Sequence, residues 1–313
     1  MQFLPGPVRV RAPATSANLG PGFDALGLAL ARYDEVTAEI TDGPTSVVVT
    51  GEGAGEVHAG ERHLVVRAMR RTFDAIAELT GSGRERPAGL RLTCANAIPH
   101  GRGLGSSAAA IVSGILAARA LVAGGTETFP EERVFALATA IEGHPDNVAP
   151  CVTGGVATGW AEDGGARRTV LLRFDTHPSV APVACIPSNR LSTEAARGLL
   201  PPTVPFGDAA ANAARAALLI PALTTRPDLL FDATEDRLHQ TYRAVAMPDT
   251  FELMARLRKS GVPAVISGAG PTVLAFGDRS DIDSVAAETG MDWAIHPLDV
   301  DRDGAGVLPS DSR

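Results

Sequence analysis

Lysine is almost absent from this 313-residue chain: of 28 basic residues only Lys259 is not arginine. A phosphate-binding lysine within a glycine loop is excluded unless Lys259 supplies it from a distance. Positive charge is short overall, since 36 acidic residues leave a formal net charge of −8. Nucleic-acid and anionic-membrane binders need excess cations to displace counterions, so neither partner is expected. Cysteine is limited to Cys94, Cys151 and Cys185, an odd and widely spaced set in apolar surroundings. Neither a disulfide framework nor a zinc site is expected, and the cytoplasm is the expected location. The longest helical-looking apolar run, Ala108 to Ala118, stops at Arg119, about half the length of a bilayer crossing. The N-terminal MQFLPGPVRVR places two prolines and two arginines where a secretory signal carries its apolar segment.

What is present is an ordinary core-forming composition, 45% hydrophobic and 20% charged, long enough for about two domains of roughly 150 residues. VRVRAP alternates like a half-buried strand, and TSANLGPGFDALGLAL breaks at glycine and proline before resuming as an apolar run. Residues 32–40 and 46–50 alternate around turn residues and predict a hairpin or meander. Helical spacing covers residues 63–79, 106–122 and 131–142. Beyond Gly164 strands are predicted at 169–174 and 180–186, helices at 192–200, 206–219, 234–244 and 251–259, and strand–turn–strand in VPAVISGAGPTVLAF. This alternation predicts an α+β protein of two layered units, residues 1–165 and 166–300, with DVDRDGAGVLPSDSR as a mobile tail from residue 301.

The segment PHGRGLGSSAAA, residues 99–110, sets Gly101, Gly103 and Gly105 directly before Ser106, Ser107 and a helix of small residues. A helix N-terminus presents unpaired N–H groups and about half a positive charge, and glycine lets the backbone approach a phosphate. Either serine can cap the helix or serve Mg²⁺ through its hydroxyl. Spacing alone favours a plain serine-capped loop. It is no Walker A loop, dinucleotide fingerprint or nucleophile elbow.

PHGRGLGSSAAA resembles the lysine-free nucleotide loop of the GHMP kinases. PATSANLGPGFDALGLAL and EGHPDNVAP are similar to segments of the homoserine kinases among them, and SGAGPTVLAF resembles the third GHMP motif. The resemblance runs in order from about Arg11 to Phe276. It implies a two-domain fold, with an N-terminal α+β domain related to a ribosomal-protein fold and a ferredoxin-like C-terminal domain. It also implies ATP-dependent phosphorylation of the side-chain hydroxyl of L-homoserine, with Mg²⁺ as cofactor, and leaves a homodimer open. One departure stands out: His63-Leu64 occupies the place of the family's Asn-Leu near the adenosine.

Carried over by residue, the resemblance assigns the nucleotide to Pro99, His100, Gly101, Arg102, Gly103, Leu104, Gly105, Ser106, Ser107, Ala108 and Ala109. It gives Mg²⁺ to Ser106 or Ser107 with Glu142, whose place at a helix C-terminus opposes the dipole. Asn147 is expected to position the hydroxyl with His144 beside it, and the role of Asp146 stays open between base and cap. Asp24 is expected to hold the substrate ammonium with Asn18 as a neutral orienter, and Arg197 and Arg243 to hold the carboxylate. Without the resemblance, Asn18, Asp24, Asp146 and Asn147 read as turn residues and the arginines as surface ion pairs. The rivals are a GHMP kinase for another alcohol and a non-catalytic nucleotide-binding module.

Overall fold

The computed structural model describes residues 1–83, 86–162 and 168–309. Eleven strands form two sheets among these residues: β1 Val8–Ala17, β2 Leu26–Thr41, β3 Ser46–Gly51, β4 Gly89–Asn96, β5 Val156–Glu162, β6 Arg168–Phe174, β7 Pro182–Pro187, β8 Ala264–Ile266, β9 Val273–Phe276, β10 Trp293–Pro297 and β11 Gly306–Leu308. The first sheet runs β11-β1-β2-β4-β3, with β5 joined to β2 and β6 to β5. The second runs β10-β7-β9-β8. This is the α+β, two-sheet architecture that the alternation predicts.

β2 is long enough to serve two partners: Leu26–Leu28 pairs with β5 and Glu35–Thr41 with β4. β1 follows it throughout, with a register shift between Pro13 and Ala14, where proline has no N–H to give the ladder. Against this sheet lies the helix Ser106–Ala120, buried from Ala108 to Ala118 except for Ala110. Such an all-round apolar helix belongs in a core. Its neighbour Leu64–Thr80 is amphipathic and ends on Gly81 in the left-handed conformation, as the TGSG segment predicts. The second sheet packs the helices Pro248–Lys259 and Arg279–Ala287 around Val183, Leu253, Leu257, Ile266, Val273 and Ile282. The helix Phe206–Thr224 sends Leu219, Ala222 and Leu223 into the first core and so ties the two sheets.

Four sequence expectations need correction. β3 pairs with β4 in parallel, so residues 46–50 form no hairpin with β2; the turn between them only reverses the chain. Most of the tail is pinned: β11 pairs with β1, and the buried Asp301 accepts from Tyr33 Oη and the Gly304 amide. Residues 310–313 lie outside the described residues. The 165 boundary also lies outside them, and because β6 still belongs to the first sheet, the chain changes sheets between Phe174 and Pro182. Finally, the helix expected over 234–244 shrinks to Gln240–Arg243, because the Asp236 carboxylate accepts the amides of Leu238, His239 and Gln240 and starts the helix late.

Candidate active site

The glycine loop links β4 to the buried helix and is wedged between two fixed walls. Gly103 and Gly105 have φ +73° and +69°, a conformation that L side chains rarely adopt. A Cβ on Gly103 would lie 2.2 Å from Ser267 O, and one on Gly105 1.9 Å from Thr15 Oγ1. Ser267 Oγ donates to Gly103 O at 2.6 Å, so the SGAGPT turn does pack behind the loop. The helix N-cap is Gly105 itself, with no side-chain cap. Neither serine hydroxyl caps the helix, and its first-turn amides have no partner within the helix.

Ser107 Oγ instead donates to Glu142 Oε1 at 2.5 Å. Glu142 ends the helix Glu131–Glu142, and burial raises its pKa above the ordinary value. Beyond it, His144 Nδ1 lies 3.0 Å from the buried Asp146 carboxylate, and this hydrogen bond raises the His144 pKa above 6.5. Thr15 Oγ1 donates to Asn147 Oδ1 at 2.8 Å, which leaves the Asn147 NH₂ as a donor toward the cavity it lines.

A cation cluster closes the opposite side. Arg197, at the end of the short helix Thr193–Arg197, grips Asp24 in two hydrogen bonds of 3.0 and 2.6 Å. Asp24 has φ +55° and its amide donates to Asn18 Oδ1, while Asn18 Nδ2 donates to Gly268 O. Arg243 is 2% exposed. Among the described residues its hydrogen bonds go to Ala196 O, His239 Nδ1 and, at 3.4 Å, Gly268 O. It is a buried guanidinium with no carboxylate in direct contact. Phe23 lies under both arginines, 5.8 Å from Arg197 and 5.4 Å from Arg243.

These groups enclose a cavity of about 250 Å³ lined by Gly103 to Ser107, Glu142, His144, Asp146, Asn147, Arg197 and Arg243. A second cavity of about 440 Å³ shares Ser106 and Ser107 with it and is lined by His63, Val65, His100, Ala110 and Ser113. Among the described residues His63 Nδ1 and Ser113 Oγ are buried there without a hydrogen-bond partner, and burial lowers the His63 pKa, favouring the neutral ring. The two cavities meet over the helix N-terminus. One holds cations and carboxylates, the other is mainly apolar with unpaired polar atoms.

Two family models match this chain: GHMP kinases N terminal domain over residues 63–155, and GHMP kinases C terminal over residues 214–289. A homoserine kinase of Streptomyces coelicolor is 53% identical over 307 residues, covering 98% of this chain and 96% of the relative. One of Clavibacter michiganensis subsp. michiganensis is 50% identical, covering 93% and 89%. The chain belongs to the GHMP kinase family. Among solved structures, a homoserine kinase from Cytophaga hutchinsonii superposes with TM-score 0.80 at 24% identity, covering 98% of this chain and 99% of that one. A mevalonate diphosphate decarboxylase from Staphylococcus aureus superposes at 0.66 with 13% identity, covering 98% and 99%; both superpositions speak for the GHMP kinase fold.

Within this GHMP kinase, the structure gathers Asn18, Gly101, Gly103 to Ser107, Glu142, His144, Asp146, Asn147, Arg197 and Arg243 around one cavity, and Arg197 brings Asp24 to its edge. His100 faces the second cavity. Four of the expected nucleotide residues turn their side chains elsewhere. Arg102 spends its guanidinium on the carbonyls of Pro187, Ser188 and His100, and Pro99 lies with it on another face. The Ala108 and Ala109 methyls are fully buried in the core and the Ala109 amide donates to Gly105 O, so only the Ala108 amide is left to serve a phosphate. Asn18 spends both ends of its amide on the fold: Oδ1 holds its own loop through the Asp24 amide, and Nδ2 ties that loop to Gly268 O in the SGAGPT turn. Sequence reasoning missed Ser113 and His239. Ser113 was detectable as a hydroxyl on an otherwise apolar helix; nothing in the sequence marked His239.

Proposed function

We propose that this GHMP kinase transfers the γ-phosphoryl group of ATP to the side-chain hydroxyl of L-homoserine, giving O-phospho-L-homoserine, a step toward threonine. The observation that carries the substrate is the buried Arg243 guanidinium, with no carboxylate in direct contact among the described residues, beside a second guanidinium and Asp24. A buried cation left unpaired is unfavourable, so the site is complementary to an anion. An α-amino acid brings carboxylate and ammonium together. Its carboxylate meets Arg243 and Arg197, and its ammonium takes over the Asp24 contact. A sugar or isoprenoid alcohol offers no such exchange.

The nucleoside occupies the larger cavity and the triphosphate crosses the Ser106–Ser107 amides, which take the role of a lysine through the helix N-terminus. Mg²⁺ fits beside Glu142: a half-buried carboxylate that accepts from the Ser107 hydroxyl would gain from a cation. No cluster of three acidic, histidine or cysteine ligands exists among the described residues. That suits an ion completed by phosphate and water. Bound there, it would neutralise charge on the β and γ phosphates. Of the two serines, the contact favours Ser107 as the ligand. Asn147 donates to the substrate hydroxyl and is itself held by Thr15. His144, whose pKa the Asp146 hydrogen bond raises, stands beside the transferring group. Because the phosphoryl transition state is loose, alignment and charge neutralisation carry the step, and the hydroxyl proton need not leave early.

ADP release measured with homoserine, mevalonate and galactose tests this. Turnover is expected with homoserine. Turnover only with mevalonate or galactose would overturn the substrate, and ATP binding without turnover would favour a nucleotide-binding module.

A further inference from the structure

The Arg243 guanidinium does not orient itself. His239 lies directly behind it, fully buried, with its ring stacked on Phe23 at 5.0 Å between centroids and 29° between planes. Its Nε2 is 2.8 Å from Gly20 O, and its Nδ1 is 3.1 Å from Arg243 Nη1. A carbonyl oxygen only accepts, so Nε2 carries the ring proton. A guanidinium only donates, so Nδ1 must present a lone pair. Both contacts are met by one form, the neutral Nε2–H tautomer.

Burial agrees, lowering the His239 pKa. The charged groups facing the ring are Asp236, Arg243 and Asp24. Asp236 Oδ1 is 3.5 Å from Nε2, but its carboxylate is already occupied by the amides of Leu238, His239 and Gln240.

We propose that His239 is a positioning residue for substrate recognition. By accepting from Arg243 Nη1 while donating to Gly20 O, it fixes the roll of the guanidinium and locks it to the loop that bears Phe23 and Asp24. Ala196 O takes the Nε proton of Arg243 at 3.3 Å. With Nε and Nη1 directed inward, the Nη2 edge is what remains for a carboxylate in the cavity that Arg243 lines. Without the His239 acceptor only the longer contacts to Ala196 O at 3.3 Å and Gly268 O at 3.4 Å hold the fork, and its alignment for two-point capture is loosened. The inference rests on the homoserine reading and deepens it.

Two isosteric changes separate the halves of this role. In His239→Asn an amide oxygen sits near the place of Nδ1 and still accepts from Arg243. In His239→Gln the amide reaches Gly20 but leaves no acceptor at Nδ1. Both lose the Phe23 stack, so packing is common to them. Steady-state kinetics are measured for wild type and both variants with homoserine and with 3-aminopropan-1-ol, its analogue without the carboxylate, at saturating ATP; the KM for ATP is measured separately.

The expected result is a homoserine KM raised roughly 10- to 100-fold in His239→Gln, the range for a lost hydrogen bond to a charged group. In His239→Asn it stays within about threefold of wild type, and the ATP KM is unchanged in both. With 3-aminopropan-1-ol, wild type and both variants should have the same kcat/KM, because no carboxylate is left to align. Equal homoserine KM values in the two variants would overturn the inference. So would an equal fall with both substrates, or a His239→Gln chain that no longer binds ATP, since either assigns the residue to the fold. Failure of wild type to act on homoserine would instead remove the underlying reading.

Discussion

Gly105→Ala probes the phosphate loop more sharply than removal of any side chain. Its Cβ would lie 1.9 Å from Thr15 Oγ1, 3.1 Å from Thr15 Cβ and 3.0 Å from Asn147 Oδ1. Thr15 is fully buried in β1 and cannot yield, so the loop must move. An L residue at the observed φ of +69° adds roughly 1–2 kcal/mol of strain. Separating Thr15 from Asn147 loses a hydrogen bond of about 1 kcal/mol. Restoring the loop around ATP would then require about 2–3 kcal/mol, or roughly 30- to 150-fold in Kd. Calorimetric titration of ATP into wild type, Gly105→Ala, Thr15→Ala and the double variant reads this directly. The double variant should recover part of the loss, because the Oγ1 clash is gone while the backbone strain stays. Binding by Gly105→Ala within about threefold of wild type would refute the reasoning that places phosphate on these amides.

Arg197→Ala should raise the homoserine KM roughly 10- to 100-fold and leave the ATP KM unchanged, as read by initial rates; a lost ATP affinity would put Arg197 in the wrong pocket. Glu142→Gln should lower kcat at least about 10²-fold, yet raise the melting temperature of the ligand-free protein at neutral pH. The sign follows from a folded-state pKa raised above the unfolded one: stability present below the unfolded value is lost as pH rises through the folded value. The gain should therefore vanish below about pH 4, where both states are protonated. Asp146→Asn should reduce kcat less than about tenfold, whereas a fall of roughly 10²- to 10⁴-fold would make Asp146 a general base. In the same variant the His144 titration, followed by NMR, should move to lower pH, because the Asp146 hydrogen bond raises its pKa.

Local chemistry was legible in the sequence where it depends on neighbours along the chain. Glycines ahead of two serines and an apolar run gave both the loop and its buried helix, and Gly81 ended the preceding helix where a left-handed residue was expected. Long-range pairing was not legible. Residues 46–51 have strand character whichever strand receives them, and their parallel partner β4 lies beyond an intervening helix. β11 is only Gly306–Leu308 and largely exposed, and is held by pairing with β1 and by Asp301 rather than by apolar burial of its own.

The site shows the same division. Arg197 and Asp24 were read as separate partners of a substrate, and only folding brings residues 173 positions apart into mutual contact. Arg102 sits between two phosphate-loop glycines, yet its three carbonyl acceptors turn it away. His239 gave no signal because its role lies in what stands on either side of it: a carbonyl of Gly20 and a guanidinium one helical turn onward.

The central claim is that a paired-charge pocket beside an amide cradle selects an alcohol that is also a zwitterion. Comparison of kcat/KM for homoserine, 3-aminopropan-1-ol and 4-hydroxybutyrate at saturating ATP measures it, since each analogue lacks one charge. Homoserine should exceed both by at least about tenfold, one charge-assisted contact each. Equal values for the three would contradict the account.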